Sequence, residues 1–314
     1  MTDAPLDSLD LFGAVAATPS AVRQTLVAAD ATDLPQPDIS AVVLVGVASS
    51  RVLAVAIEAV VAPLLDCPIV SVIGGALPGW AGAHTLVIAL DNESAETMLS
   101  DPRAGSVHLI SVGAVAPLVR RSTVVELAGA VAALEGLGLV RGIVDQMTPA
   151  IARLEVRCSE LSAPRSVAFK MARRIGRTMP IIYGVGEIGA AATASWKASI
   201  NCNAKAPAFA NVIPGLDHDE VCGWAQHGDV TRQVFTLVTL RHGGESAEDG
   251  QRLAITAEIC DEIVSAVLEV EAVGSSPVAR LFDLMGLGEY VSLEMAQAAD
   301  IDPGPVPIRA LYEA

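Results

Sequence analysis

A histidine flanked by acidic residues is the first candidate for chemistry in this sequence. Residues 217–222 read Asp-His-Asp-Glu-Val-Cys, so carboxylates surround His218 and include Glu220. A histidine changes its charge near neutral pH, so this grouping can carry protons. His218 and Cys222 lie one helical turn apart, but a metal site needs three or four ligands, and only His227 stands nearby. The sequence favours proton transfer here, with a helix N-cap aspartate beside a surface histidine as the structural alternative.

A glycine-rich segment at residues 184–189 is the second candidate. Gly184-x-Gly186-x-x-Gly189 follows a predicted strand and opens a predicted helix, as the dinucleotide-binding fingerprint requires. That fingerprint also needs an acidic residue about 20 residues on, at the end of the next strand, but the predicted strand at 209–212 contains none. We therefore expect no nicotinamide cofactor. The loop is better suited to another anion, since helix N-termini bind phosphates generally.

The composition excludes several classes of protein. The 314 residues carry 20 Lys and Arg against 36 Asp and Glu, a net charge of −16, which opposes nucleic-acid binding. A hydrophobic content of 52% excludes disorder. No segment reaches the roughly 18 uncharged apolar residues of a membrane span, and the first ten residues lack the basic start of a signal peptide. Five widely spaced cysteines without a C-x-x-C pair indicate reduced thiols. We expect a cytoplasmic protein without a metal or cofactor.

Predicted strands and predicted helices alternate along the chain, and these elements must position the candidate residues. Short β-branched runs alternate with alanine-rich stretches of helical length, which is typical of parallel strands joined by crossover helices, an α/β fold. Strands are predicted near 41–47, 69–73, 85–90, 107–110, 179–183, 209–212, 234–240 and 263–270. Helices are predicted near 49–61, 93–100, 189–203, 218–226 and 248–260. The turn around Arg241 and His242 is predicted to be solvated.

The two halves of the chain resemble each other. A strand, a glycine loop and a helix occur around Gly46 and again around Gly184, and the next strands keep the same register. The length also suggests two domains of roughly 150 residues. We predict two tandem doubly wound parallel-sheet domains, 1–145 and 146–314, joined by a helical stretch at 142–162.

Three motifs lie within residues 180–224, and a fourth follows near the end of the chain. They read P-I-I-Y-G, S-W-K-A-S-I-N-C-N-A-K-A-P-A-F and L-D-H-D-E-V-C-G-W, then I-D-P-G-P-V at 301–306. They resemble the second sugar isomerase (SIS) domain of the bifunctional phosphoglucose/phosphomannose isomerase family. That family's pattern is approximately I-Y-G, R-W-K-x-x-x-N-E-N-A-K-x-P-A-F, N-H-N-E-I-x-G-W and I-D-P-x-P-V. The resemblance implies two tandem SIS-type domains, the first of them degenerate.

The family's chemistry supplies roles for several of these residues. Its members interconvert aldose and ketose 6-phosphates through an enediol, so the resemblance implies a sugar-phosphate ligand. The ring-opening histidine falls on His218, which in relatives reaches the neighbouring subunit's active site and so implies a homodimer. The catalytic glutamate falls on Cys202, between Asn201 and Asn203. Glu220 is another acid that could act beside His218.

The phosphate-binding parts of the family pattern fall mainly in the first half of the chain. Family segments G-M-G-G-S and S-Y-S-G-N-T-E-E correspond to V-G-V-A-S-S at 45–50 and A-L-D-N-E-S-A-E at 89–96. Asp91 and Glu93 place two anions where relatives hold a phosphate, and like charges repel. The resemblance implies ligand binding by Gly46, Ser49, Ser50, Ser94, Asn201 and Lys205.

Two departures bear on catalysis. Cys202 replaces the proton-shuttling glutamate, and no lysine follows Lys205, although the family carries a catalytic lysine after I-D-P-x-P-V. Arg309 is the only cation at 307–312. The nearest candidates for the family's first-domain arginine are Arg120 and Arg121.

Three functional hypotheses therefore stay open. The first is an isomerase of glucose 6-phosphate and mannose 6-phosphate whose activity is weak or lost. The second is a non-catalytic SIS protein that binds a sugar phosphate or regulates a partner enzyme. The third is a changed reaction on another sugar derivative, with Glu187 or Glu220 as the acid.

Overall fold

The chain divides into two compact units that do not follow one another simply along the sequence. The structure, a computed structural model, describes residues 6–30, 37–112 and 122–306. One unit comprises Thr18–Ala152, here called the inserted unit. The other comprises Met1–Ala17 together with Arg153–Ala314, here called the flanking unit. The predicted boundary at residue 145 lies inside a helix, Ile143–Ser162, that runs across the change of unit.

The inserted unit contains one parallel four-stranded sheet. Its strand order is β2-β1-β3-β4. The strands are β1 Ala41–Gly46, β2 Ile69–Ile73, β3 Thr85–Ala89 and β4 His108–Ser111. The helices are α2 Thr18–Asp30, α3 Arg51–Val61, α4 Asn92–Leu99, α5 Thr123–Gly136 and the first half of α6 Ile143–Ser162. Helices α2 and α3 both pack against α5.

The flanking unit contains a second parallel sheet of the same design. Its strand order is β6-β5-β7-β8. The strands are β5 Met179–Val185, β6 Phe209–Ile213, β7 Phe235–Arg241 and β8 Val267–Glu271. The helices are α1 Leu11–Ala16, α7 Val167–Ile175, α8 Gly186–Ser199, α9 Glu220–Gly223, α10 Gly228–Val234, α11 Ala247–Asp261 and α12 Pro277–Ala298, beside the second half of α6. The predicted α/β class is confirmed, and the matching strand orders are those expected from an internal duplication.

Burial explains why the central strand β1 is apolar along its whole length, whereas the edge strands β2 and β4 are half-buried and carry Ser71, His108 and Ser111. All six residues of β1 are buried, and this central strand pairs with β2 on one side and β3 on the other. Strands of a parallel sheet are covered on both faces, so their sequences are continuous β-branched runs rather than alternating ones. Within the described residues, no helix combines the length and the apolar character that crossing a membrane would require.

Helix α12 forms much of the core of the flanking unit. Ser276 caps its first turn, with the side-chain oxygen accepting from the Ala279 backbone N–H at 3.2 Å, and Pro277 occupies the first helical position, where its missing N–H costs nothing. The helix packs against α7 and α8. Fully buried Trp196 donates its indole N–H to the Leu284 carbonyl at 2.7 Å. The second sheet is therefore held on a rigid helical support.

Candidate functional site

A cavity lies at the carboxyl ends of the strands of the inserted unit. The chain passes from β1 to β2 on one side and then crosses to β3 on the other, so the strand order reverses beside β1. Open α/β sheets bind ligands at such switch points. The cavity here measures about 590 Å³. Backbone around Gly46 and at Gly74 and Gly75 leaves it open on the strand side, and Ser94 lines the opposite side.

A buried carboxylate organises the loops beside this cavity. Asp91 Oδ2 accepts hydrogen bonds from the Val47 backbone N–H at 3.0 Å and from the Ser50 hydroxyl at 2.6 Å. Its Oδ1 accepts from the Ser94 backbone N–H at 2.7 Å, which caps α4. Asp91, Ser50 and Ser94 are each at most 5% exposed. Burial alone would raise the pKa of Asp91, but these hydrogen bonds lower it below its ordinary value, so the carboxylate stays ionised.

The four residues of this unit that were predicted to bind a ligand differ in where they lie: two line the cavity, one is buried behind it and one is exposed outside it. Gly46 and Ser94 line the cavity, whereas Ser50 is buried and its hydroxyl is directed to Asp91. Ser49 is exposed and does not line the cavity. At Gly46 a side chain would place its Cβ 2.7 Å from the Cβ of Ser50, so glycine is required for the loop to fold back on the strand. Arg120 and Arg121 lie outside the described residues.

The residues of the N-C-N-A-K motif form a π-helical turn, Ile200–Ala204, after α8. Cys202 is half-buried there. Asn201 Oδ1 accepts from the Ala208 backbone N–H at 2.9 Å, which ties the turn to the start of β6. The Lys205 ammonium contacts the Cys202 carbonyl oxygen and donates to the Pro303 carbonyl at 3.1 Å. Asn201 and Lys205 thus hold the turn that carries Cys202, while Arg309 lies outside the described residues.

The two other predicted catalytic residues lie in the segment that follows β6. His218 is exposed in the turn before α9. Glu220 begins α9 and accepts two short hydrogen bonds of 2.6 Å, from the Tyr183 hydroxyl and from the Asn211 side-chain amide. The Tyr183 hydroxyl in turn accepts from the Trp224 indole N–H at 3.0 Å. Four residues thus form one polar network that anchors the segment carrying His218.

Tyr183 is the fully buried centre of this network. Burial, and then the adjacent Glu220 carboxylate, raise the pKa of Tyr183 far above its ordinary value, so it remains a hydrogen-bond donor at every physiological pH. The indole of Trp224 also packs edge-to-face on Phe235, with ring centroids 5.6 Å apart. The structural alternative for this segment, an N-cap aspartate beside a surface histidine, is met in part. Asp219 precedes α9 as its N-cap, but its side chain accepts from the adjacent Glu220 N–H rather than from a residue further into the helix. Across the described chain no three His, Cys, Asp or Glu residues cluster as metal ligands.

The part of the chain that contains Tyr183, Cys202 and His218 is similar in sequence to known proteins. Residues 165–312 match the family described as the bacterial phospho-glucose isomerase C-terminal SIS domain. Two relatives are each called bifunctional phosphoglucose/phosphomannose isomerase. The protein from Caldicellulosiruptor bescii is 30% identical over 174 residues, which is 54% of this chain and 51% of that protein. The protein from Aquifex aeolicus is 28% identical over 137 residues, 44% of this chain and 42% of that protein. The matches cover about half the length of these relatives.

Solved structures share the fold of both units. A glucose-6-phosphate isomerase like protein from Thermus thermophilus superposes with a TM-score of 0.61 at 15% identity, covering 97% of this chain and 99% of that chain. The C-terminal domain of glucosamine-fructose-6-phosphate aminotransferase from Francisella tularensis gives a TM-score of 0.63 at 12% identity, covering 91% and 96%. At these identities the likeness shows the fold.

The glycine loop after β5 is explained by packing. A Cβ at Gly184 would stand 2.8 Å from the Gly189 carbonyl oxygen, and one at Gly189 would stand 2.9 Å from the Gly184 backbone. Strand β5 and helix α8 therefore cross in direct backbone contact. Gly186, between them, has a φ of +58°, which favours glycine. The spacing that resembles a dinucleotide fingerprint is accounted for by this crossing.

A buried histidine of the flanking unit was missed in the sequence. The solvated turn predicted around Arg241 and His242 is wrong for His242, which is 7% exposed. Its Nε2 lies 3.2 Å from the Val185 carbonyl oxygen, and its Nδ1 accepts from the Gly244 N–H. Glu245 accepts from the Arg241 guanidinium at 2.6 Å. The signal that could have revealed this closed loop was the acid four residues after Arg241.

Proposed function

We propose that this chain is a SIS-domain protein that binds a carbohydrate derivative and has weak or no isomerase activity toward glucose 6-phosphate and mannose 6-phosphate. The observation that carries the binding is the cavity of about 590 Å³ at the switch point of the inserted unit. The family matched by residues 165–312 and the names of the relatives suggest the class of ligand.

The loss of activity follows from the chemistry at Cys202. An aldose-ketose isomerase needs a group that removes a proton from one carbon and returns it to the next. A carboxylate does this, whereas a cysteine at this position supplies no carboxylate and has a shorter side chain than glutamate. Arg309 cannot replace a catalytic lysine because a guanidinium does not give up its proton.

A non-catalytic regulator or partner subunit of a sugar-phosphate enzyme is the second candidate. It is favoured by the hydrogen-bonding of Glu220. Both of its carboxylate oxygens accept bonds from Tyr183 and Asn211, so this acid is engaged in anchoring its segment and is a poor substitute for the missing shuttle. We further propose a cytoplasmic homodimer, in which exposed His218 would reach the partner subunit.

An isomerase assay tests the proposal that activity toward glucose 6-phosphate and mannose 6-phosphate is weak or absent. Purified protein is given glucose 6-phosphate and mannose 6-phosphate, and formation of fructose 6-phosphate is compared with that of His218→Ala. We expect the two proteins to be indistinguishable. Turnover that depends on His218 and reaches about 10 s⁻¹, a typical enzymatic rate, would contradict the proposal of weak or no activity.

The variant Cys202→Glu tests whether the missing carboxylate is the cause. Cys202 is half-buried and lies on a turn fixed by Asn201, so a glutamate would be held in place. If the missing carboxylate is the sole cause, this variant should show measurable His218-dependent turnover, whereas Cys202→Gln, the matched control of similar size and no charge, should not. Equal inactivity of both variants would show that the site has lost more than its proton shuttle.

A further inference from the structure

We propose that Asp91 determines the specificity of the inserted unit's cavity: its carboxylate takes the place of a ligand's phosphate, so the cavity binds an unphosphorylated sugar. This inference deepens the proposed function and rests on it for the location of the site. Three observations carry it, namely the donors that Asp91 uses, the charges around the cavity and the chemistry of its lining.

The donors around Asp91 are arranged as they would be for a bound anion. The Val47 N–H and the Ser50 hydroxyl come from the loop between β1 and α3, the Ser94 N–H comes from the start of α4, and all three point at one carboxylate. Each of these groups has a single hydrogen to donate. An incoming phosphate that used them would have to displace Asp91. The anion position is therefore filled by the protein itself.

Displacing Asp91 would cost free energy, because the buried carboxylate would lose the hydrogen bonds that stabilise its charge. Asp91 is only 5% exposed, and its pKa lies below the ordinary value. It would have to leave its hydrogen bonds as an ion, and burying an unpaired charge is strongly unfavourable. It also caps α4, so its movement would unseat the first turn of that helix.

The charges around the cavity also oppose a phosphate. Glu93 and Asp101 line it, and its described lining includes no lysine or arginine. Arg103 donates to Asp101 and also to the Pro78 carbonyl, the latter at 3.0 Å. A phosphate dianion placed here would meet three carboxylates, because Asp91 lies directly behind the cavity wall.

The same lining suits an uncharged sugar or an amino sugar. The carboxylate of Glu93 and the hydroxyls of Ser94, Thr97 and Ser100 supply hydrogen-bond acceptors. Sugar hydroxyls and amines are donors, and an ammonium group would gain from the negative charge. The volume lies in the range that proteins use for small-molecule ligands.

Binding to the wild-type protein is the first test. Affinities for glucose, glucosamine, glucose 6-phosphate and inorganic phosphate are measured by calorimetry. We expect glucose or glucosamine to bind at least tenfold more tightly than glucose 6-phosphate, and inorganic phosphate not to compete. Tighter binding of glucose 6-phosphate, displaced by inorganic phosphate, would overturn the inference.

Two variants at Asp91 form the second test. In Asp91→Ser the hydroxyl can still cap α4, but the carboxylate is gone and its donors are released. Asp91→Asn keeps the shape, removes the charge and replaces one acceptor oxygen with an NH₂ group. We expect at least a tenfold gain in affinity for inorganic phosphate in Asp91→Ser and a smaller gain in Asp91→Asn, with folding checked by circular dichroism.

The outcomes separate the two proposals. If folded Asp91→Ser and Asp91→Asn gain no affinity for phosphate, the donors are not an anion site and the inference about Asp91 is wrong. If no sugar binds the wild type or either variant, the proposed function fails, while the phosphate measurement still decides the role of Asp91. If sugars bind but phosphorylated ones bind best, only the inference about Asp91 fails.

Discussion

Replacing Tyr183 with phenylalanine removes one oxygen atom from the centre of the network that anchors the His218 segment. The phenylalanine ring keeps the packing of the fully buried tyrosine. The Glu220 carboxylate loses a donor at 2.6 Å, and the Trp224 indole N–H loses its acceptor at 3.0 Å. Asn211 remains to donate to Glu220.

The expected cost can be worked from these two contacts. A hydrogen bond to a charged group contributes about 1.5–3 kcal/mol, and a neutral one contributes about 0.5–1.5 kcal/mol. We therefore expect Tyr183→Phe to lower the free energy of unfolding by about 2–4 kcal/mol. Tyr290→Phe is the matched control, because Tyr290 is equally buried in the same unit but its hydroxyl pairs with the neutral Ser162 hydroxyl at 2.9 Å. We expect it to cost about 1 kcal/mol.

Urea unfolding followed by circular dichroism measures both losses. A double-mutant cycle of Tyr183→Phe with Glu220→Gln then isolates the contact between these two residues. We expect a coupling energy of at least about 1 kcal/mol. A loss for Tyr183→Phe no larger than that for Tyr290→Phe would refute the reasoning, because it would mean that the carboxylate adds nothing to the tyrosine's hydrogen bond.

Two further predictions concern stability. Burial opposes ionisation of Glu245, but the hydrogen bond from Arg241 holds its pKa at about 2, below the ordinary 4.5. Its contribution to the free energy of unfolding, about 3 kcal/mol, is therefore complete above about pH 5 and is lost as the pH falls toward about 2. Between these pH values the urea midpoint should fall less in Glu245→Gln than in the wild type. Equal pH dependence of the two midpoints would contradict this. A Cβ at Gly288 would lie 2.5 Å from the Trp196 ring, so Gly288→Ala should lower the unfolding free energy by about 1–3 kcal/mol. At Gly286 the nearest atom is the end of Leu154 at 3.3 Å, so Gly286→Ala should cost less when both variants are unfolded in urea, and the reverse order would contradict the packing.

The strands could be predicted from the sequence, whereas several helices could not. Runs such as 69–73 are short, β-branched and bounded by turn residues, and strand β2 begins and ends at the predicted positions. Helices α5 and α12 were not predicted. Sixteen of the 22 residues of α12 are buried, so it lacks the alternation of polar and apolar faces that marks a surface helix. Its two glycines also lower its apparent helix propensity.

Part of the candidate site could also be predicted from the sequence. The motif letters placed Gly46 and Ser94 in the segments that line the cavity, because loops after parallel strands converge at one edge of the sheet. The sequence also showed Asp91 as an anion, but not that three donors surround it. That arrangement depends on the distance between β1 and β3, which no local pattern encodes. His242 was misread for the same reason, since its acceptor, the Val185 carbonyl, is far away in sequence.

The division of the chain into an inserted and a flanking unit bears on the order in which it folds during synthesis. The segment around α1 contacts residues made almost 300 positions later: the Ser8 N–H donates to Asp302 at 3.3 Å, and Leu9 packs against Gly304. Residues 18–152 form a compact unit of their own, so their internal contacts do not depend on those later residues. The segment around α1, by contrast, cannot make its own contacts until residues 302–304 have been synthesised.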